Sequence, residues 1–99
     1  MSADIGFIGL GNMGGAIAAR LAEQGHRVRG FDLSPLAQDR ARAAGITVVG
    51  TAADTIEGAE FVMSSLPNPA VVRSLWMSEG LVDRLSAGQT LVELSTIDP

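Results

Sequence analysis

The chain has 99 residues, 46% apolar and 18% charged, which is enough for one small globular domain and too apolar for disorder. Its seven cations are all arginine and face eleven acids, a net charge of −4, which argues against nucleic acid or an anionic membrane surface as a partner. With no cysteine and one histidine it is excluded from disulfide frameworks, thiolate chemistry and His-rich metal clusters.

No apolar run approaches the ~18 residues of a membrane span. The opening Met1-Ser2-Ala3-Asp4 lacks the basic start of a secretory signal. The expectation is a soluble cytoplasmic domain with no membrane, nucleic-acid or metal partner.

Residues 4–10 read as a strand. Ile5, Phe7, Ile8 and Leu10 are apolar with little alternation, the pattern of a strand covered on both faces. Residues 9–14 form a glycine-rich turn, and a helix runs from there to Gln24 with Met13, Ile17 and Leu21 on one face. Gly25 follows where helices commonly stop in the left-handed conformation. Residues 27–33 form the second strand. Ser34 supplies an N-cap oxygen and Pro35 a first helical position for a helix that reaches Ala44 and ends at Gly45. Residues 46–49 make a short third strand, Thr51 caps a short helix over 52–57, and residues 61–66 form a fourth strand closed by Pro67. Asn68-Pro69 opens a helix through Trp76, residues 80–85 read as a short helix or turn, and residues 90–94 form a fifth strand.

Strand and helix alternate every 20–30 residues or so, the rhythm of βαβ units. The fold class is α/β, a Rossmann-type doubly wound parallel sheet. That fold has six strands in the order 3-2-1-4-5-6, with its ligand crevice where the order reverses, between the first and fourth strands. Five strands are legible here. Residues 1–99 are therefore expected to be an incomplete dinucleotide-binding domain, truncated after the fifth strand, with a second, helical domain absent.

Gly9-Leu10-Gly11-Asn12-Met13-Gly14 fits G-x-G-x-x-G. The pattern is weak alone, but here it leaves an apolar strand and opens a helix. Gly9 permits the tight turn, Gly11 lets a diphosphate approach the backbone, and Gly14 lets the helix pack close to the strand. Helix-start N–H groups and the helix dipole then favour the phosphates without a cation. Gly6 and Gly15 read as close-packing positions. Asp32 follows Gly9 by 23 residues and Gly14 by 18, where the fingerprint has an acid for the adenosine ribose. Its carboxylate repels a 2′-phosphate, so NAD is expected over NADP. A turn or cap role beside Ser34-Pro35 is compatible with that one. His26 reads as a surface turn residue, Trp76 as packing, and Arg40 and Arg42 with Asp39 as a solvated helix face.

The segment Gly6-Phe7-Ile8-Gly9-Leu10-Gly11-Asn12-Met13-Gly14 resembles the opening of the β-hydroxyacid dehydrogenases. Ser64-Ser65-Leu66-Pro67-Asn68 and Glu93-Leu94-Ser95-Thr96-Ile97-Asp98-Pro99 resemble two further segments of that family, in register across nearly the whole chain. The resemblance implies hydride transfer between a nicotinamide cofactor and a small 3-hydroxy acid, of the 3-hydroxyisobutyrate or tartronate semialdehyde type. It implies that Leu66 and Pro67 line the cofactor, that Thr96 meets it near the nicotinamide, and that Ser95 helps anchor the substrate. The family's proton-transferring lysine lies in a later helical domain, and this chain has no lysine. No catalytic residue is assigned, and the chain alone is expected to be inactive, with its homo-oligomer formed only through the missing domain. The alternative is a non-catalytic dinucleotide-binding or interaction module that reuses the fold.

Overall fold

The computed structural model of the chain describes residues 2–65, 74, 80 and 84–94. Among them are five strands, β1 (Asp4–Ile8), β2 (Arg27–Phe31), β3 (Thr47–Val48), β4 (Phe61–Ser64) and β5 (Thr90–Glu93). Three helices accompany them, α1 (Asn12–Glu23), α2 (Pro35–Ala43) and α3 (Ala52–Ile56). The strands form one sheet in the order β3-β2-β1-β4-β5, with every neighbouring pair parallel. This is the doubly wound arrangement, and the order reverses between β1 and β4.

Side chains alternate across the sheet and divide the core in two. Ile5, Phe7 and Val28 point to the face covered by Ala18 of α1 and by Ala37 and Ala41 of α2. Ile8 and Val62 point to the other face, against Ala52 and Ile56 of α3 and the following Ala59. The central strand β1 is buried from Ile5 to Ile8, which accounts for its near-continuous apolar run.

Most elements start where the sequence signals them, except that α1 begins at Asn12, inside the predicted turn, and β3 at Thr47 rather than Ile46, and they end earlier than predicted. β1 stops at Ile8 rather than Leu10. Gly9 takes φ +94°, a conformation costly for any residue with a side chain, and turns the chain out of the strand. Its N–H is still held by the Phe31 carbonyl at 2.9 Å. β2 stops at Phe31 rather than Leu33, and β4 pairs only through Ser64. Ser34 and Thr51 cap their helices as expected, accepting from the N–H groups of Ala37 at 3.3 Å and Asp54 at 3.2 Å. The helix expected between Asn68-Pro69 and Trp76 lies outside the described residues apart from Ser74, as does most of the segment 80–85.

The predicted face of α1 needs correction. Met13 is exposed, while the helix buries Gly14 and Ala18 most deeply, flanked by half-buried Ile17 and Leu21. Small residues take the centre because α1 lies very close to the sheet. A Cβ on Gly14 would run into the Gly9 carbonyl oxygen and stand 2.9 Å from Ser65 Cβ. Gly15 is similarly tight, with a Cβ 2.7 Å from the Leu10 carbonyl oxygen.

Gln89 joins the edge of the sheet to α3. Its Nε2 donates to the carbonyls of Ile56 at 2.7 Å and Ala59 at 2.8 Å, and its Oε1 accepts from the Ser86 N–H at 2.7 Å. Replacing it removes the side-chain partner of the Ala59 carbonyl and the Ser86 amide and one of the two donors to the Ile56 carbonyl, which keeps the Ala59 N–H at 3.1 Å. Gln89→Ala is expected to cost about 1–3 kcal/mol, measurable as a lowered midpoint in urea with an unchanged slope. Among the described residues, no helix is long and apolar enough to cross a membrane, and no group of three or more His, Asp or Glu could hold a metal ion.

Candidate functional site

The carboxyl ends of β1, β2 and β4 meet at the point where the strand order reverses, and the β1–α1 turn lies across them. The N-cap of α1 is Gly11, with φ −68° and ψ −164° and no side-chain cap. Its carbonyl accepts from the Gly15 N–H at 2.6 Å to start the helix. N–H groups earlier in a helix have no carbonyl one turn back. The other two described helices spend a hydroxyl on this end, and α1 does not. Its first turn also lacks an acid of its own. The dipole and the amides together therefore present positive potential to whatever approaches the turn.

Gly11 differs from the other glycines of the segment. A Cβ there would meet nothing within 4 Å, whereas at Gly6, Gly14 and Gly15 it would strike backbone. Packing does not require glycine at position 11, and its extended backbone suits any residue. What the missing side chain preserves is open space over the helix start.

Asp32 stands beside this turn. Its Oδ2 accepts from the Leu10 N–H at 2.7 Å and its Oδ1 from the Ser34 N–H at 2.8 Å. Gln38 Nε2 donates to the Asp32 carbonyl at 2.7 Å. The turn role and the proximity to the glycine segment thus occur together. A carboxylate has about four lone-pair positions, so two remain for further donors. The next residue, Leu33, is 85% exposed and offers an apolar surface next to the acid.

A groove of about 210 Å³ runs from Leu10, Gly11 and Asn12 between α1 and α2 to Arg40. Arg40 is exposed, as read from the sequence, but it borders the turn. Arg42 pairs with Asp39 at 3.3 Å on the exposed helix face. His26 accepts from the Ala3 N–H through Nδ1 at 3.0 Å, at the amino end of the sheet and away from the turn.

The fold thus brings Gly9, Leu10, Gly11, Asn12, Met13, Gly14 and Asp32 to one end of the sheet. Leu66, Pro67, Ser95 and Thr96 lie outside the described residues. The residues just before them are fixed at the same end of the sheet. Ser65 N–H donates to the Ile8 carbonyl at 2.9 Å, and Leu94 N–H to the Ser64 carbonyl at 2.7 Å. Sequence reading missed Gln38. Nothing in its spacing marks it, since its contact arises only where the first turn of α2 folds back on the end of β2.

Residues 4–99 match the family model described as the NAD binding domain of 6-phosphogluconate dehydrogenase. The chain is 44% identical over 97 residues to 3-hydroxyisobutyrate dehydrogenase of Pseudomonas aeruginosa, a match covering 97% of this chain and 33% of that protein. It is 38% identical over 98 residues to 3-sulfolactaldehyde reductase of Escherichia coli, covering 98% and 33% respectively. Among solved structures, 3-hydroxyisobutyrate dehydrogenase of Mycobacterium tuberculosis, determined with L-serine, superposes with a TM-score of 0.90 at 36% identity. That match covers 99% of this chain and 33% of the other. The chain spans about a third of the length of these relatives.

Proposed function

The chain belongs to the family of N-terminal NAD-binding domains of the 6-phosphogluconate and β-hydroxyacid dehydrogenases, and on that footing we propose that its glycine turn and Asp32 hold NAD in preference to NADP. The observation that carries this reading is the open space at Gly11 over an uncapped helix start. The amides of the turn would receive the diphosphate, which needs no cation there. The two unused acceptor positions of Asp32 would take the hydroxyls of the adenosine ribose. A 2′-phosphate in that place would stand against a carboxylate already fixed by two amides, and so unable to swing away.

The residues present fit such a group. Leu66, Pro67 and Thr96 are proposed to line the cofactor and Ser95 to help anchor a substrate, on the family resemblance. The bound nicotinamide would supply the hydride chemistry. The relatives' names support a small hydroxy acid or its aldehyde, of the 3-hydroxyisobutyrate type, as the substrate of the parent activity. The chain itself is proposed to bind and orient the cofactor without turnover, because it has no lysine to carry the family's proton-transfer role. A second, helical domain is proposed to provide that group and the oligomer.

The double substitution Asp32→Ala with Leu33→Arg tests the preference. It removes the repelling charge and supplies a cation at the exposed position beside it. The ratio of NADP affinity to NAD affinity is expected to rise at least about tenfold in this variant over the parent chain. An unchanged ratio of the two affinities, measured by calorimetry, would show that Asp32 does not read the ribose.

A further inference from the structure

We propose that Asp32 is also a positioning residue for the diphosphate site, clamping the glycine turn into its binding shape before any ligand arrives. The inference rests on the reading above that the turn takes a diphosphate. Leu10 lies just beyond the last rung between β1 and β2, where Gly9 N–H meets the Phe31 carbonyl. Its own N–H therefore has no strand partner, and Asp32 Oδ2 supplies one at 2.7 Å. Bonds from an amide to a carboxylate are among the stronger ones available.

The clamp cannot drift with the turn, because it is held from its own side. Oδ1 is tied to the Ser34 N–H and the Asp32 carbonyl to Gln38. The Leu10 side chain is 3% exposed and packs beneath, where a Cβ on Gly30 would stand 2.9 Å from Leu10 Cδ1. Leu10 is thus fixed at its side chain by the core and at its backbone by Asp32. Gly11, the next residue, inherits that placement.

The two roles of Asp32 give opposite signs for a ligand without a ribose. If Asp32 only reads hydroxyls, removing its charge relieves repulsion and strengthens the binding of inorganic pyrophosphate. If it clamps the turn, removing it weakens that binding even though a negative charge has gone. Asp32→Asn is the discriminating variant, since its amide can accept from only one of the two N–H groups and turns an NH₂ toward the other.

The test is a titration of the full 99-residue chain and of Asp32→Asn with pyrophosphate and with ADP-ribose, followed by amide NMR. The clamp predicts pyrophosphate binding at least about threefold weaker in Asp32→Asn and ADP-ribose binding weaker by more than that. It also predicts faster exchange at the Leu10 amide while the β1 and β2 amides stay protected. Pyrophosphate binding that is unchanged or tighter, with Leu10 still protected, overturns the clamp and leaves the ribose reading standing. A parent chain that binds neither ligand overturns the diphosphate reading, and the inference with it. If Asp32→Asn does not fold, exchange at Leu10 in the ligand-free parent chain decides, since an unprotected amide there contradicts the clamp and a protected one supports it.

Discussion

Gly11→Ala is expected to fold like the parent chain and to bind NAD at least about tenfold more weakly, a loss of about 1.4 kcal/mol or more. The new methyl group meets nothing within 4 Å in the protein, and the backbone at φ −68° accepts it without strain. As an N-cap, alanine is somewhat poorer than glycine, so stability should fall by less than about 1 kcal/mol. The methyl group does occupy the space over the helix start. A phosphate held off by it loses charge-assisted bonds worth about 1.5–3 kcal/mol each. Gly11→Val should enlarge the binding loss further. Calorimetry and thermal melting of the same samples separate the two effects. Undiminished NAD binding would show that the space has another purpose.

Gly6→Ala should do the reverse, damaging the fold. Gly6 sits in the middle of β1, paired with Arg29 on one side and Val62 on the other. A Cβ there would run into the Thr55 carbonyl oxygen and stand 2.7 Å from its carbon, both backbone atoms. Neither side can yield easily. β1 is the central strand, and Thr55 is fully buried with its hydroxyl bonded to the Ala52 carbonyl at 2.6 Å. The cost is expected at or above the upper end of the ~1–3 kcal/mol typical of overpacking. For a domain of this size that lowers the melting temperature by roughly 12 °C or more. Gly50→Ala is the control. It meets nothing within 4 Å and should move stability by no more than about 1 kcal/mol in either direction. A Gly6→Ala chain that melts like the control would mean that α3 does not lie against β1 as described.

Much of this contrast was legible in the residues. The turn, the acid at position 32, the caps at Ser34 and Thr51 and the succession of strands follow from local chemistry, and local chemistry is what a sequence displays. The reading of Gly6 and Gly15 as close-packing positions also agrees with the backbone each would strike. What escaped depends on elements distant in the chain. The bond from the Leu10 amide to Asp32 comes from the pairing of Ile8 with Phe31, which carries Leu10 and Asp32 past the ends of their strands side by side. The buried face of α1 was misread because apolar spacing picks out large residues. The closest approach is made by Gly14 and Ala18, which periodicity of apolar bulk does not weigh. Gln38 and Gln89 were invisible for a related reason. Each acts on a carbonyl that only the folded chain brings within reach.

The most direct test of the central claim is a calorimetric titration of the folded chain with NAD and, in parallel, with NADP. A bare helix start beside a fixed carboxylate predicts saturable NAD binding, somewhere between about 1 μM and 1 mM, and weaker binding of NADP. No saturable heat with NAD from a chain that melts cooperatively would contradict it.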